Sequence, residues 1–450
     1  MAEVVIIGAG LTGLSVAYHL EQHGFFDYEL FEKNERAGGL LCSEQCQGFT
    51  FDYTGHLLHV NDPYFKNFLQ KVADLDKKFD FVQRKTGIFS HHVLTDYPFQ
   101  MHLHGLPVEV IAECIEGFVR RATHIKNPQS FYDWVLKYFG AGIGKHFFFP
   151  YNTKLLACNL KKVHPSWTGR FVPSTSLHML VQGALGGVAS GVGYNSSFYY
   201  PLQGGIEFLI KKIQLQLQKK TSVNASVCGI DPVRKIVYLE DGRQESYRYL
   251  VSTMPLNEFL KKVKTTQKTL HRAAEKLLCT SVLNINLGFS KKHDNPMHWI
   301  YFPEKKDAFY RLGFWNNISA SSVPGGKSAV YIELSGLNKK NSLSGAMMRN
   351  AEKAITETLS YLGLDEHDVS IRKDLFLPHA YVIYDQWRQR TIDLLLKTLT
   401  DMDIYSVGRY GAWKYASMQE SVLDGQVVAN NLMSGLINKR KVQATSSIVL

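Results

Sequence analysis

The chain is expected to be an α/β protein: a Rossmann-like dinucleotide-binding domain, interrupted by a helical domain and an antiparallel β-sheet domain. Three observations predict this. "EVVIIGAGLTGLSVAYHL" (3–20) reads as an apolar strand, a G-x-G-x-x-G turn at Gly8, Gly10 and Gly13, and a helix. "YELFEKN" (28–34) reads as the next strand and carries Glu32 about 20 residues after the turn. Later runs such as "SVLNINLGF" (281–289) and "SAVYIELSG" (328–336) read as strands of an antiparallel sheet.

Each part of the N-terminal unit has a mechanical reason. Gly8 permits the tight turn, Gly10 lets a pyrophosphate approach the backbone, and Gly13 lets helix and strand pack closely. Thr12 lies in the same turn, at the helix N-terminus that faces the negative charge, and Glu32 is placed to accept hydrogen bonds from a ribose. Just beyond, "EKNERAGGLL" (32–41) sets Arg36, Gly38 and Gly39 where a second close backbone approach and a phosphate contact are expected.

The bulk properties suit such a protein. At 450 residues the chain has room for two or three domains. Its 45% hydrophobic and 20% charged residues are ordinary for a globular protein. No apolar run is long enough for a membrane span, and "MAEVVIIGAG" enters a strand directly without a cleavage site. The six cysteines (42, 46, 114, 158, 228, 279) have no metal spacing and read as reduced thiols, so a cytoplasmic location and no metal are expected. A net charge of +11 suits a polyanionic ligand, whereas nucleic acid is disfavoured because the basic residues are spread out.

The inserted region reads as helical. "LPVEVIAECIEGFVRRA" puts Val108, Ile111, Ile115 and Phe118 on one face after Pro107, and "SFYDWVLKYFG" runs from a Ser130/Asp133 cap to Gly140. The expected domains are 1–85, 200–265 and 401–440 for dinucleotide binding, 103–195 helical, 90–102 with 266–400 for the sheet, and a tail at 441–450 containing part of the basic "NKRK".

The glycine turn with "ERAGGLL", the strand "RYLVSTMP" (248–255) and "DIYSVGRYGAWKYASMQESVLDGQVVANNLM" (403–433) together resemble the FAD-binding motifs of glutathione-reductase-like and amine-oxidase-like flavoproteins. The resemblance implies FAD rather than NAD, with Gly408 and Arg409 at the closing turn. A more specific likeness comes from "FDYTGHLLHVNDPYFKNFL", "TDYPFQMHL", "FYDWVLKYFGAGIGKHFFFPYNTK", "WTGRFVP", "LVSTMP", "WIYFPEKKDAFYR" and "GRYGAWKY", in that order. They resemble the UDP-galactopyranose mutase family, nearer its eukaryotic form, through residues 1–435. That resemblance implies interconversion of the pyranose and furanose forms of a nucleotide-diphosphate sugar. Reduced FAD acts as a nucleophile through N5, with no net redox and with a separate reductant, NAD(P)H being one candidate.

The same resemblance implies a site. Arg170 and Arg311 would hold the diphosphate, with Tyr301, Tyr381 and Tyr415 as hydroxyl donors around it. Tyr97, Gln100, Phe147, Tyr151 and Asn152 would hold uridine. Gly55 and His56 would lie at the flavin ring, and His56 would titrate near neutrality, while His59 is structural. Bland readings stand beside these: a salt bridge for Arg311, core packing for Tyr301, a buried structural role for His56, and a proline-punctuated core loop for the uridine residues.

Three features depart from the family pattern: Leu156 in place of a tryptophan, Ile318 in place of a tyrosine, and a shortened "SMQES" (417–421) that leaves Gln419 and Glu420 unassigned. A FAD-dependent oxidoreductase of the amine-oxidase or protoporphyrinogen-oxidase type is therefore the alternative function. The paired arginines favour the mutase, because an amine or porphyrin needs no diphosphate clamp. Nothing in the sequence decides the oligomeric state.

Overall fold

The computed structural model describes residues 2–187, 196–265, 268–337 and 345–446, leaving out the side chains of Arg170, Lys268 and 437–446. The N-terminal signature folds as read. Strand β1 (Ala2–Ile7) leads through the glycine turn into helix α1 (Leu11–Gln22), and strand β2 (Tyr28–Phe31) returns parallel to β1. The strand Gln244–Ser252 lies on the other side of β1, also parallel, and Ile404–Ser406 adds beyond it. The first half of Gln244–Ser252 continues as an antiparallel meander with Ile236–Leu239 and Val227–Asp231, completing six strands.

This sheet is buried on both faces, which is why β1 runs apolar from Val4 to Ile7 rather than alternating. Val4 and Ile6 pack with α1 and with the helices Glu207–Gln214 and Met418–Ser446. Val5 and Ile7 pack on the opposite side with residues of Leu256–Lys262, Lys268–Lys276 and Gln386–Thr400. The C-terminal helix runs through the basic run at 438–441 to Ser446, past the expected start of a tail.

A seven-stranded sheet forms the second layer, in the order Val369–Leu377, Thr280–Phe289, Ser328–Leu337, Arg311–Phe314, Trp299–Tyr301, Thr86–Ser90, Val93–Asp96. Its pairings are antiparallel except that Trp299–Tyr301 runs parallel to Thr86–Ser90. One face is largely apolar: Leu283, Ile285, Leu312, Ile332 and Leu334 pack with Met347, Ala351 and Ala354 of helix Gly345–Leu362, and at the edge strand Arg372 pairs with Glu352 of that helix. The other face carries the polar residues and looks toward the dinucleotide domain and the helical insert.

The insert is helical, but its first helix buries a different face from the one expected. Within Val108–Val119 the buried residues are Val110, Cys114 and Phe118, with Ile111 and Ile115 half-buried and Val108 exposed. Glycine packing turns the helix this way. A Cβ on Gly142 would lie 2.0 Å from the Glu113 carbonyl oxygen, and one on Gly140 would lie 1.9 Å from that of Gly117. Backbone-to-backbone approach there fixes which side of the helix faces inward.

Gly13 plays the same part in the first domain, where a Cβ would lie 1.9 Å from the Gly8 carbonyl oxygen. Gly13→Ala is expected to push α1 off β1 at a cost of about 1–3 kcal/mol. The check is a thermal melt, in which the variant's midpoint should fall by several degrees and an unchanged midpoint would refute the close-packing role.

Candidate active site

The glycine turn builds an open cradle at the head of α1. Gly8 has φ +96°, and a Cβ there would meet the Thr253 hydroxyl at 2.5 Å. Thr253 in turn donates to the carbonyls of Ile7 (3.0 Å) and Gly8 (3.1 Å), so the strand Gln244–Ser252 holds the turn through the residue just past its end. Gly10 has no atom within 4 Å of a Cβ position, so the space above it is free for a ligand. Glu32 is buried beneath, accepting from the backbone N–H of Ala9 (2.9 Å) and Asn34 (3.0 Å). Gly38 and Gly39, at φ +130° and +59°, bring the next segment against the turn, with Gly38 N–H donating to the Ala9 carbonyl. Gly408, at φ +80°, rests on Thr12, which would lie 2.6 Å from a Cβ there. Arg36 is held by carboxylates on the protein, Glu44 and Glu207, so a phosphate would have to share it with them.

The polar face of the seven-stranded sheet forms the floor. Asn284, Glu333, Arg311 and Tyr301 stand opposite one another on four adjacent strands and make one cross-sheet row. The fully buried Glu333 carboxylate accepts from Arg311 Nε (2.9 Å) and Nη2 (2.7 Å). Burial works against the Arg311 charge, and Glu333 with the surrounding tyrosines outweighs it, holding the guanidinium well above its usual value. Arg311 is thus a bidentate partner of an internal acid along one edge, which leaves the Nη1 side of the fork for a ligand. Glu333 is a residue sequence reasoning missed. Its signal was a lone acid inside the apolar strand "AVYIELSG".

Next to this row, Asn286, Tyr331, Gly313 and Trp299 make a second one. Gly313 is required there, because a Cβ would sit 2.0 Å from the Tyr331 ring. The turn Thr54–His56 lies over Tyr331, whose hydroxyl would meet a Cβ on Gly55 at 2.5 Å. His56 is half-buried, and its buried Nδ1 has no hydrogen-bond partner. Burial, reinforced by Arg409 and Arg311, pushes the imidazole down to about 3. This corrects the expectation of titration near neutrality: His56 is a neutral group between two cations. His59 accordingly keeps a structural contact, Nδ1 to the Ser197 carbonyl at 3.1 Å.

Two aromatic walls rise from the floor. On the insert side, Phe147 is stacked between Phe99 and Tyr151 at centroid distances of 5.2 and 5.4 Å, and Tyr151 meets Tyr301 edge-on at 5.3 Å. Phe147 is buried between these contacts, so little of its ring is open to a base. Tyr97 lies 5.4 Å from Tyr301 and carries the Arg84 guanidinium over its ring at 4.7 Å. The amide nitrogens of Gln100 and Asn152 are already donating, to the carbonyls of Pro173 (2.7 Å) and Phe148 (2.8 Å).

The other wall is Tyr381 stacked on Tyr415 at 6.4 Å, with Phe171 edge-on to Tyr415 at 4.4 Å. Arg409 organises this wall. Its Nη1 donates to the Ala416 carbonyl (2.7 Å) and its Nη2 to that of Ala380 (3.1 Å), the neighbours of Tyr415 and Tyr381, while its buried Nε has no partner. The backbone of Arg170 belongs to the short helical turn Gly169–Phe171 beside Tyr415, and its side chain lies outside the described residues.

Two departures are core residues: Leu156 is buried in the helical insert and Ile318 packs with Phe49, Trp315 and Val323. Gln419 has a definite structural role. Its Oε1 accepts from the N–H of Asn61 (2.8 Å) and Asp62 (2.9 Å), tying the last helix to the His56 loop. Among the described residues no group of three or more His, Cys, Asp or Glu is arranged to hold a metal, and no helix is long and apolar enough to cross a membrane.

These features fit a flavin dinucleotide. The open space at Gly10 and the head of α1 suit its pyrophosphate, Glu32 a ribose, and the orphaned His56 Nδ1, Arg409 Nε and Asn284 Oδ1 a buried polar ring.

His56 carries a pH prediction. Its folded value lies below the usual 6.5, so its contribution to stability is complete above 6.5 and is lost as pH falls toward about 3. The slope approaches about 1.4 kcal/mol per pH unit for one proton. Denaturant unfolding of wild type and His56→Gln across this range should show a shallower acid slope in the variant; parallel slopes would mean that His56 protonates freely in the fold.

Comparison with known proteins agrees with this geometry. The solved structure of a reduced UDP-galactopyranose mutase superposes with a TM-score of 0.88 at 26% identity, covering 96% of each chain. A putative protoporphyrinogen oxidase from Exiguobacterium sp. 255-15 has a TM-score of 0.70 at 13% identity, covering 96% of this chain and 98% of its own, a likeness of fold. Among curated proteins, a 1-hydroxycarotenoid 3,4-desaturase from Flavobacterium sp. (strain P99-3) is 33% identical over 87 residues, 19% of this chain and 17% of its own length. The chain thus spans about a sixth of that relative. The family model for flavin-containing amine oxidoreductases matches residues 11–432, nearly the whole chain, and the protein belongs to that family.

Proposed function

We propose that the protein is a FAD-dependent mutase that interconverts the pyranose and furanose forms of a nucleotide-diphosphate sugar such as UDP-galactose. The observation that carries this reading is Arg311, a guanidinium fixed by a buried acid on the floor of a tyrosine-lined site, in a chain similar over 96% of its length to a UDP-galactopyranose mutase. A site for amines or polyenes has no use for a buried arginine held with one edge toward the ligand.

FAD would be held by the Gly8–Gly13 turn, Glu32, Gly38, Gly39 and Gly408, and when bound and reduced it supplies a nucleophilic N5, so that no net oxidation is needed. The protein's own residues supply the rest. Arg311 and Arg170 bind the diphosphate and stabilise the charge that grows on it as its bond to the sugar breaks. Tyr301, Tyr381 and Tyr415 donate hydroxyl hydrogen bonds around it. Burial raises the pKa of Tyr381 and Tyr415, so both stay protonated as donors. The aromatic stack of Phe99, Phe147 and Tyr151 walls off the nucleotide end and excludes water.

A second reading, a FAD-dependent oxidoreductase, is favoured by the short match to carotenoid desaturases. One experiment separates them. Dithionite-reduced protein is incubated with UDP-galactose and UDP-galactofuranose and the products are resolved. Interconversion without consumption of reductant is expected, and an oxidised form without activity. Oxygen uptake driven by an amine, with no sugar isomerised, would establish the oxidoreductase.

Arg311 supplies a further test. Arg311→Ala would strand the buried Glu333, so Arg311→Lys is the cleaner variant. A point charge cannot satisfy Glu333 and a diphosphate together as the planar fork does. Turnover should drop roughly 30- to 1000-fold, corresponding to about 2–4 kcal/mol of lost transition-state stabilisation. Steady-state kinetics and UDP titration, with FAD content as control, would measure it, and turnover equal to wild type would remove Arg311 from the site.

A further inference from the structure

Lys154 has no role in the site as described, yet it connects the insert wall to the floor. It lies on the helix Phe149–Leu156, three residues after Tyr151 and two after Asn152. Its half-buried side chain sets the ammonium against the turn that joins Trp299–Tyr301 to Arg311–Phe314. There it donates to the carbonyls of Phe309 (2.7 Å), Glu304 (2.8 Å) and Asp307 (3.3 Å). Three backbone acceptors converging on one cation form a socket that only a group with several diverging donors can fill. The charged groups facing it are Asp307 and Glu304 on the turn, and Glu357 and Lys353 on the helix Gly345–Leu362. Burial pushes the amine down to about 8, which leaves it an ammonium at neutral pH.

The same turn is tied elsewhere. The Glu304 carboxylate accepts from the N–H of His91 (3.1 Å) and the Glu357 carboxylate from that of Ala308 (2.9 Å). Those ties come from the sheet and the helix behind it. Lys154 alone among these three comes from the helix that carries Tyr151 and Asn152. At the root of the hairpin stand Tyr301 and Arg311, paired across the strands, and Tyr151 closes edge-on against Tyr301 (5.3 Å) and Tyr310 (6.3 Å). The spacing between the aromatic wall and the arginine floor therefore depends on how firmly the hairpin turn is fastened to this helix.

We infer that Lys154 is a positioning residue of the ligand site, locking the hairpin that carries Tyr301 and Arg311 to the helix that carries Tyr151 and Asn152, and so setting the width of the nucleotide end. This rests on the nucleotide-sugar reading above. Lys154 touches no reacting atom; it acts through Tyr301, Tyr151 and Arg311. Its loss should weaken nucleotide binding more than the chemical step.

The test is Lys154→Met, which keeps the aliphatic stem and removes the donors, in the full chain with its cofactor. Three quantities are read: the Kd for UDP by calorimetry, KM and kcat with the nucleotide sugar, and hydrogen exchange of amides 302–310. FAD content should stay near wild type. Exchange in the turn should speed up, and Kd and KM should rise by about tenfold or more while kcat falls by less than about threefold. Unchanged exchange would show that the lysine does not fasten the turn. Faster exchange with unchanged Kd would reduce it to a merely structural contact, and either result overturns the inference. Should Lys154→Met lose its cofactor, Lys154→Arg takes its place. A planar fork fits three diverging carbonyls poorly, so a partial loss of UDP affinity is expected and wild-type affinity overturns the inference. A wild type that binds no UDP defeats the function reading and this inference with it. A variant that binds UDP as well as wild type defeats this inference alone.

Discussion

A guanidinium and a carboxylate buried side by side on neighbouring strands constrain everything around them. Arg311 and Glu333 are in direct register, and Glu333 is fully buried. Neither charge could stay in such a place alone, since an unpaired buried ion costs several kcal/mol. The register is doubly enforced. Slipping the strand Ser328–Leu337 by one residue would carry Glu333 to the face where Ile332 and Leu334 now meet the helix Gly345–Leu362. The acid would enter an apolar core and the arginine would lose its partner. The pair is thus a registration device for the sheet as well as the floor of the site.

The other parts are arranged to meet that floor. The helical insert brings an aromatic stack from one side, and the closing segment brings Tyr381 and Tyr415 from the other, clasped through their neighbours' carbonyls by Arg409. Both walls are attached by polar contacts to backbone rather than by side-chain packing alone. Gln419 works the same way on the Asn61–Asp62 backbone next to the His56 loop. Contacts of this kind fix position sharply, because a buried carbonyl or N–H left without its partner is costly.

The electrostatics follow from this enclosure. Arg311 is balanced by Glu333, His56 is held neutral, and Arg409 retains its charge among tyrosine rings. The described part of the site is thus positive, suited to an anion whose charge grows during reaction. The open backbone at Gly10 and the head of α1 add a second anion-binding feature at the dinucleotide end.

The sequence by itself determined the class of fold and its flavin family, because those depend on local requirements. Gly8 needs a positive φ, Gly13 needs absence of a Cβ, and an apolar strand leading into that turn has few other uses. Arg311 and the site tyrosines were legible as chemistry but not as geometry. That Arg311 is already half engaged, that Phe147 also stacks on Phe99, and that His56 does not titrate near neutrality depend on partners 22 or more residues away or on burial from several segments. The inward face of Val108–Val119 was misread for a similar reason, since glycines at 140 and 142 decide it across a gap that helical periodicity cannot report. Only the tertiary structure revealed Glu333, Asn284 and Lys154, whose roles come from what a fold places opposite them. A lone polar residue in an apolar strand shows that something must compensate it, and three-dimensional packing alone supplies the partner.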